Sequence, residues 1–148
     1  NIYDDPDAAD LVFGAPWQIN MLGLDATHQV PLSPANVQTL AEQAGDLGQF
    51  LAKAAAQYFA FHRDVVGLDF CHFHDPCALV HIVRPDLFES QDSSVRVVTD
   101  GFASGKTIAK PLLRFTAQPG WEGRALTKVC LKADGQQVID HYLGEMIQ

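Results

Sequence analysis

Gln18-Ile19-Asn20-Met21-Leu22-Gly23-Leu24 is the stretch that decides the fold class. After Asn20 it is apolar on both parities, the pattern of a strand covered on both faces in a parallel sheet rather than one half in water. It runs into Asp25-Ala26-Thr27-His28-Gln29. Polar groups just past the carboxyl end of such a strand stand where open α/β sheets place their ligands. Thr27 and His28 are therefore candidate site residues, against the plainer reading that they hydrogen-bond within their own loop.

On either side of this strand the chain reads as helices. Asp5-Pro6 opens a short helix through Ala8, Ala9, Leu11 and Val12, closed by Gly14. Ser33-Pro34 opens the next. Val37, Leu40, Ala41, Ala44, Leu47, Leu51, Ala54, Ala55 and Tyr58 follow one buried stripe, and Gly45 and Gly48 are expected to split it into two helices. Tyr58, Phe59, Phe61 and His62 crowd its end, and aromatics at helical spacing read first as core. Arg63 to Asp69 is expected to be loop. Val95 to Thr99 and Phe102 to Ile108 flank Asp100-Gly101, a hairpin signal. Residues 110–124, with Pro111, Pro119, Gly120 and Gly123, read as loop, and Thr127–Ala133 as a strand. Val138, Ile139, Tyr142, Leu143, Met146 and Ile147 place one apolar face on a terminal helix. The fold class is α/β: part of an open, mainly parallel sheet flanked by helices, with a β-hairpin and a C-terminal helix. One strand covered on both faces has few strands to sit beside it: either the sheet is small, or residues 1–148 are one domain whose sheet continues in sequence outside them, and the second is expected.

Phe70-Cys71-His72-Phe73-His74-Asp75-Pro76-Cys77-Ala78-Leu79-Val80 carries the densest chemistry. Asp-Pro before an apolar run is a helix start, with Asp75 as cap and Pro76 at the first helical position; Arg84-Pro85 stops that helix. Asp75 beside a histidine is also an oxygen ligand for a hard cation next to a group that moves protons near neutral pH. Cap and ligand remain alternatives at this level.

The bulk numbers exclude some functions. With 148 residues the chain can bury a core, and with 47% hydrophobic residues and a net charge of −8 it reads as a soluble globular protein. Its ten Lys and Arg are scattered rather than gathered in a basic stripe, so no nucleic-acid partner is expected. No apolar run reaches a membrane span. Cys71, Cys77 and Cys130 form no CxxC pair and read as reduced thiols in a cytoplasmic protein.

Several segments, in order, resemble the C-terminal half of the inosine–uridine-preferring nucleoside hydrolases. They are Asn1-Ile2-Tyr3 with Asp5-Pro6-Asp7-Ala8-Ala9, Leu24-Asp25-Ala26-Thr27-His28-Gln29, His74-Asp75-Pro76, Asp86-Leu87-Phe88 and Gly105-Lys106-Thr107. The resemblance implies an open α/β fold, hydrolysis of the N-glycosidic bond of ribonucleosides, a bound Ca2+ and a homo-oligomer. It implies that Asp75 is a calcium ligand, that His74 protonates the leaving base and contacts substrate, and that Asn1 contacts the ribose. No position matches the family's Asp-rich N-terminal loop, so the chain is expected to need an N-terminal half as partner. Phe70-Cys71-His72-Phe73 and the 110–124 segment depart from the family pattern. Two alternatives stand beside this reading. One is another metal hydrolase using His72, His74 and Asp75; the other is a catalytically degenerate binding or assembly protein.

Overall fold

The computed structural model describes residues 1–110 and 119–147. The α-helices among the described residues are α1 (Pro6–Gly14), α2 (Leu24–Thr27), α3 (Pro34–Gln43), α4 (Gly45–Phe61), α5 (His74–Val83) and α6 (Gly135–Met146). The strands are β1 (Ile19–Leu22), β2 (Pro31–Leu32), β3 (Cys71–His72), β4 (Phe88–Ser93), β5 (Val95–Val97), β6 (Thr107–Ala109) and β7 (Thr127–Ala133). Three strands pair in the order β1-β7-β4, and β2-β3 and β5-β6 form two antiparallel pairs. The α/β class, the hairpin and the C-terminal helix agree with the sequence reading.

The described residues fall into two compact units. The first comprises Asn1–Met21 and Ser90–Cys130. Asp5 caps α1 by accepting from the Ala8 N–H at 3.0 Å, as Asp-Pro predicts. Phe13, Val95, Val97 and Val129 form the core of this unit, with Ile2, Ala9, Ile19 and Met21 packed against them. The hairpin is confirmed, but its tight turn is not: Val97 pairs with Thr107, and residues 98–106 connect them through a helical turn at Gly101–Ala103. Gly101 supplies φ +70° at that turn.

One ion cluster ties this unit together. Asp10 accepts from Arg124 Nη2 at 2.9 Å, from Arg96 Nη2 at 3.2 Å and from the Val97 N–H at 2.8 Å. Burial pushes the Asp10 carboxyl up, but the Val97 N–H, the Arg96 hydrogen bond and the two guanidinium charges outweigh it and hold it below the usual value of 3.8. A carboxyl depressed in the folded state adds stability above its unfolded pKa, and that stability is lost as pH falls through the folded value. Asp10→Ala leaves Arg124, only 13% exposed, without its carboxylate. Breaking one partner from such a pair costs about 3–5 kcal/mol. Urea unfolding at pH 7 is expected to show a loss of that size, and the Asp10→Ala protein should lose less further stability on acidification than the parent. An unchanged midpoint would show the cluster to be a surface ornament.

The second unit comprises Leu22–Glu89 and Leu131–Gln148. Ser33 caps α3 in a reciprocal capping box with Asn36. The break between α3 and α4 falls at Gly45, with φ +58°. Gly48 lies inside α4, where a Cβ would come within 1.9 Å of the Leu40 carbonyl oxygen, so it is the α3–α4 contact and not a break. Ala26, Val30, Leu40, Cys71, Phe73, Cys77, Val80, Leu87, Phe88, Val138 and Ile139 are buried here.

Several local expectations need correction. Tyr58 and Phe61 are 44% and 50% exposed rather than core. The 63–69 loop begins as a π-helical turn, His62–Val66. β1 has no fully buried residue, and among the described residues it is an edge strand in the order β1-β7-β4, so the doubly covered central strand expected here is not observed. On α5, Leu79, Ile82 and Val83 are exposed while Cys77, Val80 and His81 are buried. Within the 110–124 loop reading, residues 111–118 lie outside the described residues.

Candidate functional site

The second unit builds a histidine cluster from three elements. β2 and β3 pair Pro31 with His72 and Leu32 with Cys71, and the Phe73 N–H donates to the Val30 carbonyl at 2.9 Å. This short ladder fixes the chain on both sides of His72 and delivers His74 as the first residue of α5. On the other side, the residues after β1 wind into α2, with Ala26 and Val30 fully buried and Thr27 only 3% exposed. Gln29 fastens this segment. Its Nε2 donates to the Asp25 and Leu131 carbonyls at 2.6 and 3.0 Å, and its Oε1 accepts from the Ala133 N–H at 3.3 Å. Gly135, opening α6, allows the closest approach, since a Cβ there would stand 1.9 Å from the Gln29 carbonyl oxygen.

Thr27 and His74 meet as a consequence. Thr27 Oγ1 and His74 Nδ1 share a hydrogen bond of 2.8 Å. The reading that Thr27 bonds only within its own loop is thereby overturned. The rings of His28 and His72 lie 4.3 Å apart between centroids, and each is 5.6 Å from His74. Phe70 sets its edge against His72 at 5.3 Å. His72 Nδ1 is buried without a hydrogen-bond partner among the described residues.

Electrostatics follow from this crowding. Burial pushes the His74 imidazolium down, the His28 and His62 rings add to the effect, and the Asp75 carboxylate opposes it. His72 is pushed down by burial, then by His28, His74 and His62, with a His28 backbone hydrogen bond opposing. Tyr58 is raised by burial, then by Cys71 and Asp75. Tyr58 and His62 stack edge to face at 4.3 Å, and His62 Nδ1 donates to the Tyr58 carbonyl at 3.0 Å. The His62 and Tyr58 neighbourhood was hidden in the sequence, where they read as the aromatic end of a core helix. Burial pushes the Cys77 thiol up to about 12, so it is an inert core group.

Asp75 differs from its sequence reading. Phe73, not Asp75, is the cap residue of α5, and no side chain caps that end. Asp75 sits in the first turn, exposed, so its carboxylate is not spent on the helix backbone. Asn1 lies in the first unit and is exposed. Among the described residues no three His, Cys, Asp or Glu are grouped to hold a metal. That removes the support for a His72/His74/Asp75 metal site. The His72 and His74 rings tilt 43° against one another, and His74 Nδ1 is taken by Thr27.

The family model described as inosine-uridine preferring nucleoside hydrolase matches residues 1–140. A probable uridine nucleosidase 2 of Arabidopsis thaliana is 30% identical over the full chain, which covers 46% of that protein. A pyrimidine-specific ribonucleoside hydrolase of Klebsiella pneumoniae is 32% identical over 73% of the chain and 35% of its own length. Among solved structures, a plant nucleoside hydrolase superposes with a TM-score of 0.94 at 29% identity, over 99% of this chain and 46% of that one. A purine-preferring ribonucleoside hydrolase from Gardnerella vaginalis gives 0.81 at 26%, over 99% and 45%. The chain thus spans about half the length of the relatives it matches along its whole length.

Proposed function

The chain belongs to the inosine-uridine preferring nucleoside hydrolase family, and from that premise we propose that it forms part of an enzyme that hydrolyses ribonucleosides to free base and ribose. The observation that carries the reading is His74, its Nδ1 held by buried Thr27, immediately before the uncapped carboxylate of Asp75.

Each role follows from the bond to be broken. Water adds to the anomeric carbon, the C–N bond breaks with its electron pair going to the base, and the ribosyl centre passes through a cation-like transition state. A purine or pyrimidine nitrogen is a poor leaving group until it takes a proton, and His74 is the acid that supplies it. Burial makes the His74 imidazolium both scarcer and a stronger acid, two effects that oppose each other. Asn1 contacts the ribose.

Family members are generally metal-dependent. We assign the metal as Ca2+, with Asp75 as one oxygen ligand. Calcium takes six to eight oxygens, and the described residues do not group three acidic or imidazole ligands. They do not complete such a site by themselves. The remaining carboxylates and the group that activates water are assigned to an N-terminal half, with residues 1–148 as the C-terminal part of one larger domain. The exposed apolar Leu24, Leu79, Ile82 and Val83 of the second unit support that assignment. The buried free thiols Cys71, Cys77 and Cys130 suit a reducing, cytoplasmic compartment.

The test is direct. The complete protein, supplied with Ca2+, is expected to release free base and reducing ribose from at least one of inosine, uridine, cytidine and adenosine. Release from none of them overturns the reading. Among the described residues no helix is long and apolar enough to cross a bilayer.

A further inference from the structure

We propose that Thr27 is the positioning residue of the site: its hydroxyl holds His74 by Nδ1, so that Nε2 is the nitrogen presented to the leaving base. This rests on the role given to His74 above. The geometry that carries it is local. The Thr27 Oγ1–His74 Nδ1 distance is 2.8 Å, Thr27 is 3% exposed, and the two residues are 47 positions apart. A contact of that separation forms only because other bonds place both ends. Gln29, anchored to Asp25, Leu131 and Ala133, and Gly135 against the Gln29 carbonyl place Thr27. The β2–β3 ladder places His74.

A hydroxyl suits this task chemically. It can donate to a bare Nδ1 or accept from a protonated one, so the same bond survives whichever state the ring adopts. A carboxylate could only accept, and an aliphatic side chain could do neither. Each time His74 gives up a proton from Nε2 and regains one, the ring keeps its orientation without rotating. His72 and His28 pack against the same ring as aromatic neighbours and share no hydrogen bond with it. Thr27 is therefore the polar contact that distinguishes the two His74 nitrogens.

The experiment uses Thr27→Val, which keeps the shape and removes the hydroxyl, and Thr27→Ser, which keeps the hydroxyl. The complete protein is labelled with 15N-histidine and ring nitrogen spectra are recorded for all three forms. The His74 ring is expected to show one hydrogen-bonded Nδ1 pattern in the parent and in Thr27→Ser, and to lose it in Thr27→Val. In turnover, Thr27→Val should lower kcat on inosine or uridine by about 10–100-fold, the usual effect of removing an orienting partner. KM should change little, p-nitrophenyl riboside turnover should be nearly preserved, and Thr27→Ser should restore the parent rate within about threefold. A His74 ring spectrum that is the same in Thr27→Val and the parent overturns the proposal. So does a loss of activity that falls equally on both substrates or that Thr27→Ser does not restore. If the parent cleaves no nucleoside, the functional reading fails on its own, and the ring spectra still decide whether Thr27 orients His74.

Discussion

Asp75→Ala in the complete protein is expected to bring nucleoside hydrolysis down to background and to strip the protein of retained Ca2+, with little change in its unfolding midpoint. The dissociation of the two effects is the substance of the prediction. A cap residue would show the reverse pattern, a stability loss of about 1 kcal/mol with chemistry intact. Asp75 is not that residue. The α5 helix begins at His74, its cap position is Phe73, and no side chain accepts from the first-turn N–H groups. What Asp75 contributes to the fold is a carboxylate near a helix N-terminus, about 0.3–1 kcal/mol at an exposed position. Calcium, by contrast, binds through charged oxygens, and deleting one from the set removes both charge and a coordination position. Metal analysis after dialysis, the turnover assay and urea unfolding, all on one preparation, separate the two. Full turnover with Asp75→Ala would refute the metal role.

That distinction between cap and ligand was not legible in the sequence, and the reason is physical. Asp-Pro before an apolar run satisfies the chemistry of a cap whether the helix starts at Pro76 or two residues earlier. The start is set by the Phe73 N–H bonding Val30, a contact across the β2–β3 pair. Those two strands have two residues each, too short for any periodicity to betray. Local signals fared better. Asp5-Pro6 capped α1 as read, and β7 runs over Thr127–Ala133 as its alternation predicts. β4 escaped because Glu89-Ser90-Gln91-Asp92 is polar, and pairing with β7 makes it a strand where propensity would not.

The site divides in the same way. His74, Asp75, Thr27 and His28 were each legible as chemistry-bearing residues: two from the His-Asp-Pro run, two from their place after a strand. That Thr27 holds His74 was not, because the partners are 47 residues apart and meet only through the folded scaffold. Nor was the exposure of Tyr58 beside His62, since helical spacing reports which residues share a face and says nothing of what covers it.

His74→Ala should slow hydrolysis of inosine and uridine by about 10²–10⁴-fold, the usual contribution of a positioned general acid, while p-nitrophenyl riboside keeps most of its rate. The split follows from where the electron pair goes. A departing purine or pyrimidine carries it on a ring nitrogen that needs a proton in the transition state; p-nitrophenolate carries it on an oxygen already stabilised by its ring. Removing the acid therefore penalises one substrate class only. The substitution also leaves the nearly buried Thr27 hydroxyl without its partner, at a cost of about 1–3 kcal/mol. A loss caused by that disturbance, or by a ribose contact, would fall on both substrates alike, since both present the same sugar to the same scaffold. Rates are therefore to be compared as the ratio of kcat between the two substrates, at a temperature where unfolding traces show each variant folded. A ratio that stays at the parent value would mean that His74 binds or braces and moves no proton, and the acid would then have to be sought elsewhere in the protein.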